Sequence, residues 1–131
     1  MTMTRQPVYV VCAEGEEDLA EKLAEPLRDA GYEVAHDGTV LVGESRIGNA
    51  MKAMSAGVPI VLCATARSVG SAWAHKIVNA GYAGANRVFV VQMDEQAYVE
   101  QLSVKTKVAK YHADPARGVR ELVDALTAQF P

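Results

Sequence analysis

Short apolar runs alternate along this chain with longer segments in which apolar positions recur every three or four residues. Pro7–Cys12 (PVYVVC), Pro59–Ala64 (PIVLCA) and Arg87–Met93 (RVFVVQM) are compact β-rich runs, too short for helices. Glu33–Ala35 predicts a brief further strand, and a weaker one falls near Val108–Tyr111. Between them, Glu17–Ala30 carries Leu19, Leu23 and Leu27 at helical spacing, with acids in its first turn, where they favour the helix dipole. Gly31 stands where a helix stop is expected, and Pro26 should kink or shorten that helix. Arg46–Ala56 reads as a second helix with Ile47, Met51 and Met54 on its apolar side, and Ser68–Ala80 as a third around Trp73. Asn79–Ala85 is small and glycine-bearing, which predicts a connector. A helix near Glu95–Leu102 is the least patterned. Asp114-Pro115 opens the last helix as N-cap and first turn, followed by Val119, Leu122, Val123 and Leu126.

The resulting order, β-α repeated five times, implies an α/β domain whose parallel sheet is covered on both faces. In five-stranded sheets of this kind the strand order is 2-1-3-4-5, and ligands bind outside the carboxyl ends of the strands beside the switch point. The loops after Cys12, Ala35 and Ala64 are therefore the informative ones. A chain of 131 residues fits one domain, expected over residues 7–131 behind a disordered tail at residues 1–6.

Charge narrows the functional classes. The formal net charge is -3, and the basic residues are scattered apart from Lys105, Lys107 and Lys110, which is not the focused field that nucleic acid requires. Neither an apolar leader nor an apolar stretch of about 18–20 residues is present, so a cytoplasmic protein without a membrane span is expected. Cys12 and Cys63 each close an apolar run and have no metal-ligand spacing, which predicts core thiols. No P-loop, dinucleotide fingerprint or nucleophile elbow occurs. The acidic loop Glu14-Gly15-Glu16 would repel phosphates rather than cradle them.

Five segments, taken in order, resemble Toll/interleukin-1 receptor (TIR) domains: Gly31, Asp37, Leu41–Ile47 with Gly43-Glu44, Ile60–Cys63, and Ser71-Ala72-Trp73. The resemblance spans nearly the whole chain and implies a flavodoxin-like three-layer sandwich. It implies ligand or interface roles for Asp37, Val42, Gly43, Glu44, Ser45, Ser71, Trp73, His75 and Lys76. It also implies other TIR domains as partners, from copies of this chain or from another protein, in a weak homo-oligomer, and a setting in bacterial immunity or antiviral signalling.

TIR domains that hydrolyse NAD place a glutamate four residues after the tryptophan, and here that position is Ile77. Cleaving the nicotinamide–ribose bond builds positive charge on the sugar, which a carboxylate stabilises and isoleucine does not. Neither Lys76 nor Val78 supplies the missing group. The expectation is therefore a signalling module without catalysis or a required cofactor. Two alternatives stay open. One is an NAD glycohydrolase that uses a displaced carboxylate, Glu44 or Glu14; the other is a sensor whose cleft binds a nucleotide without cleaving it.

Overall fold

Alternate residues of each strand enter different cores. Val8, Val10 and Cys12 face one side with Val61 and Cys63, while Tyr9 and Val11 face the other with Ile60, Leu62 and Ala64. Strands buried on both sides need this continuous apolar run, since period-2 geometry sends neighbouring side chains to opposite faces. The computed structural model describes residues 7–36, 46–83, 88–97 and 108–129.

The strands are β1 (Pro7–Val11), β2 (Glu33–His36), β3 (Ile60–Ala64), β4 (Val88–Gln92) and β5 (Ala109–Lys110). The helices are α1 (Glu17–Asp29), α2 (Arg46–Ser55), α3 (Ala66–Val69), α4 (Ala72–Ala83) and α5 (Pro115–Gln129). Every pairing is parallel and the sheet order is β2-β1-β3-β4-β5, as the alternation of runs predicts. The register sets Tyr9 beside Ala35 on one side and beside Ile60 on the other. Helices α1 and α5 cover one face through Leu23, Leu27, Leu122 and Leu126. The opposite face is covered by α2, α3 and α4 through Ala50, Val69, Ala74, Ile77 and Val78.

Local signals set the helix ends. Gly31 adopts φ +98°, its N–H donates to Arg28 O, and Tyr32 N–H donates to Leu27 O, a pair of bonds that closes α1 and demands the left-handed backbone glycine supplies. The same pair of bonds ends α2, from Gly57 to Met54 O and from Val58 to Ala53 O. At the start of α5, Asp114 Oδ1 accepts from Arg117 N–H at 3.2 Å, the N-cap role read from Asp114-Pro115.

Four expectations need correction. Helix α1 continues through Pro26 to Asp29; so near the helix end the ring removes one bond without stopping the helix. The predicted helix Ser68–Ala80 is two helices, because Thr65 caps an earlier start and Gly70 ends α3 before α4 begins. Asn79–Ala83, expected in a connector, extends α4, since one glycine among alanines costs only about 1 kcal/mol of helix propensity. Met51, expected in the core, is 37% exposed, while Met54 packs against the core. The tail at residues 1–6 and most of the segment Glu95–Leu102 lie outside the described residues.

Candidate functional site

The carboxyl ends of β1, β3 and β4 meet at the switch point, where the connection from β1 leaves toward β2 and β3 returns on the opposite flank. The loops after these three strands are tied into one unit. Thr65, directly after β3 and 1% exposed, is the N-cap of α3. Its Oγ1 accepts from Ser68 N–H at 3.2 Å, and Ser68 Oγ accepts from Thr65 N–H at 2.8 Å, a reciprocal capping box. The hydroxyl protons point elsewhere. Ser68 Oγ donates to Cys63 O at 2.9 Å, and Thr65 Oγ1 donates to Glu16 Oε1 at 2.7 Å, across the gap to the loop after β1.

A second tie runs beside it. Arg67 Nη1 donates to Glu14 O at 3.0 Å. From the loop after β4, Asp94 Oδ2 accepts from Ala66 N–H at 3.4 Å, and Oδ1 accepts from Gln96 N–H at 3.0 Å. Gln92 at the end of β4 holds that loop by donating to Asp94 O and Ala97 O. The carboxylate of Asp94 thus occupies the first turn of α3, where a bound anion would otherwise find backbone N–H groups. With Glu14 and Glu16 alongside, the described residues of these three loops bring the carboxylates of Glu14, Glu16 and Asp94 together with the Arg67 guanidinium.

Helix α4 lines the next stretch of this rim. Ser71 Oγ donates to Arg67 O at 2.9 Å and ties the start of α4 to α3. Trp73 is partly buried against the second core, so its ring anchors α4 to the sheet. His75 Nε2–H donates to Val69 O at 3.1 Å, and Lys76 is exposed. The buried stripe of α4 is Ala74, Ile77 and Val78, and Ile77 is only 1% exposed. The helix therefore turns position 77 into the core.

The structure thus brings Glu14, Ser71, Trp73, His75 and Lys76 to one end of the sheet or the helix beside it. Asp37, Val42, Gly43, Glu44 and Ser45 lie outside the described residues. Sequence reasoning missed Thr65, Arg67, Ser68 and Asp94 as the residues that tie the rim. The Thr65-x-x-Ser68 spacing after an apolar run was the available signal, being the spacing of a capping box. Away from this rim, a cleft of about 370 Å³ lies between β4, β5 and α5, lined by Phe89, Ala109, Leu122 and Asp124 among others, and it includes none of the predicted site residues. Among the described residues, no three His, Cys, Asp or Glu side chains gather to hold a metal ion. No helix among them is long and apolar enough to cross a membrane.

A family model described as TIR domain matches residues 8–123, spanning all five strands and most of α5. The chain belongs to the TIR domain family. Among solved structures, the TIR domains of the activated Roq1 resistosome that directly recognises the pathogen effector XopQ are similar in fold. The TM-score is 0.61 at 12% identity, with 94% of this chain and 99% of that chain covered. No curated protein matches this chain. The TIR fold accounts for the sheet order and for α4 standing beside the switch point.

Proposed function

We propose that this TIR domain is a cytoplasmic signalling module that works by assembling with other TIR domains, in bacterial immune or conflict signalling, and does not cleave NAD. The observation that carries this reading is Ile77. The resemblance assigns a glutamate to that position in TIR domains that hydrolyse NAD. Here an apolar side chain fills it and packs among Leu62, Ala74 and Val90 as part of the core. A carboxylate there would be cut off from water and stripped of its value as a charge stabiliser. No other residue of α4 is acidic. The hydroxyls nearest the switch point, on Thr65 and Ser68, already donate inside the protein. The rim of Glu14, Glu16 and Asp94 is set against an anionic ligand. The likeness in fold to the TIR domains of an activated resistosome supports a role in assembly.

The test is nicotinamide release from NAD at high protein concentration, with and without a crowding agent to force association. The expected result is intact NAD after hours. Release that Glu14→Ala or Glu44→Ala abolishes, with the fold unchanged, would overturn the non-catalytic reading and identify the displaced carboxylate.

A further inference from the structure

Among the described residues, the helices on the two faces of the sheet carry opposite net charge. Helix α1 holds five acidic residues, Glu17, Asp18, Glu21, Glu25 and Asp29, against Lys22 and Arg28. On the same side, α5 does not offset this, because Arg117 and Arg120 are matched by Glu121 and Asp124. On the other side of the sheet, α2, α3 and α4 contain no acidic residue at all, and they carry Arg46, Lys52, Arg67 and Lys76. The side chains of Lys52 and Lys76 are exposed on α2 and α4, two helices that pack against each other. Asp18, Glu25 and Asp29 are exposed on α1.

We infer that copies of this chain dock head to tail, the acidic α1 face of one against the basic α2–α4 face of the next. The inference rests on the assembly reading above and names the surfaces that meet. A single chain bearing complementary charges on opposite faces fits a second copy of itself, since each docking leaves one acidic and one basic face free. Contacts between unlike faces do not close by two-fold symmetry, so they build a ring where the rotation closes and an open row where it does not. Complementary potentials steer such encounters and set the register. Contacts between exposed charges are also screened by salt.

The test compares self-association by sedimentation velocity at low and high salt for the unmodified chain and two paired charge reversals. One variant is Glu25→Lys with Asp29→Lys; the other is Lys52→Glu with Lys76→Glu. All four side chains are exposed, and circular dichroism confirms the fold of each variant. The unmodified chain is expected to associate at low salt and to dissociate at high salt. Each variant alone is expected to associate on the order of a hundredfold more weakly, because the reversals take α1 from a net -3 to +1 in the first and α2–α4 from +4 to zero in the second, which removes the attraction between the faces. An equal mixture of the two variants is expected to recover association into pairs, since the unaltered α2–α4 face of the first meets the unaltered α1 face of the second. Variants that associate as the unmodified chain does, or a mixture that stays monomeric while the unmodified chain assembles, would overturn these docking faces and leave TIR assembly standing through other surfaces. An unmodified chain that stays monomeric at every salt and concentration would overturn the docking faces and self-assembly together.

Discussion

Thr65 Oγ1 donates a 2.7 Å hydrogen bond to Glu16 Oε1, so the loop after β3 is held by a residue 49 positions earlier in the chain. The same oxygen caps Ser68 N–H. Replacing Thr65 with valine keeps the shape and removes both bonds while Ser68 N–H stays buried. A loss of about 1–2 kcal/mol in urea unfolding is expected. Thr65→Ser keeps the oxygen and should recover most of that stability. A larger loss in Thr65→Ser than in Thr65→Val would mean that the methyl packing, rather than the hydrogen bonds, holds the loop.

Gly118 brings α5 against the turn after β5. A Cβ built there would lie 2.7 Å from Tyr111 Cα and 2.9 Å from Tyr111 N, both backbone atoms that cannot swing aside. Gly118→Ala gains about 1 kcal/mol of helix propensity but must push the two elements apart, so a net loss of roughly 1–3 kcal/mol is expected. Gly70 is the contrast. The nearest atoms to a Cβ there are 3.9 Å away, and its φ of -88° suits any residue. Gly70→Ala should therefore be neutral or stabilising, by up to about 1 kcal/mol. Thermal unfolding of both variants reads the difference.

What the sequence made legible is what local physics decides. The apolar run of β3, the Gly31 stop and the Asp114-Pro115 start depend on residues within one element, and each stands where it was expected. The parallel sheet followed from the alternation of strand and helix, and its order from the order usual in five-stranded sheets of this kind. The rim was less legible because its ties are long-range. Nothing near Thr65 in sequence points to Glu16, and nothing near Ala66 points to Asp94. Met51 was misjudged for a related reason: helical spacing identifies a stripe but not its width, and the buried centre of α2 is Ala50. Ile77 could be read as apolar from the sequence, whereas its burial depends on how α4 is rotated against β3 and β4.

Glu21 joins α1 to the end of β2. Arg28 Nη1 donates to Glu21 Oε1, and His36 Nε2–H donates to Oε2 at 2.8 Å. The Arg28 guanidinium first, with the His36 bond added, holds the Glu21 carboxyl below the usual carboxylate range. A carboxyl with a depressed folded-state pKa binds its proton more readily in the unfolded chain, so its contribution is present above the ordinary carboxylate value and is lost as pH falls through the folded value. Glu21→Gln should remove this part of the acid dependence of stability. Carbon-detected titration should also find the Glu21 midpoint rising toward the ordinary range in Arg28→Ala. An unmoved midpoint would mean that Arg28 does not set it.

Ile77→Glu puts a carboxylate where the TIR resemblance calls for one, and the structure decides what it would do there. Position 77 is 1% exposed and belongs to the second core together with Leu62, Ala64, Val78 and Val90. The new side chain would lose the isoleucine packing and bury a polar group without a partner, so a loss of about 3 kcal/mol or more is expected. Burial raises the folded-state pKa of such a glutamate above its unfolded value near about 4.3. The folded state then holds the proton more tightly, so the penalty is smallest below the unfolded value and grows as pH rises toward the folded one. Urea unfolding of Ile77→Glu and the unmodified chain at acidic and neutral pH measures that slope, with Ile77→Gln as the uncharged control. The slope should be absent in the control. No nicotinamide release should accompany the substitution, because a protonated, enclosed carboxyl stabilises no positive charge. A soluble Ile77→Glu variant with pH-independent stability and new NAD cleavage would mean instead that α4 can turn this position toward the cleft, and that one substitution separates this domain from the enzymes it resembles.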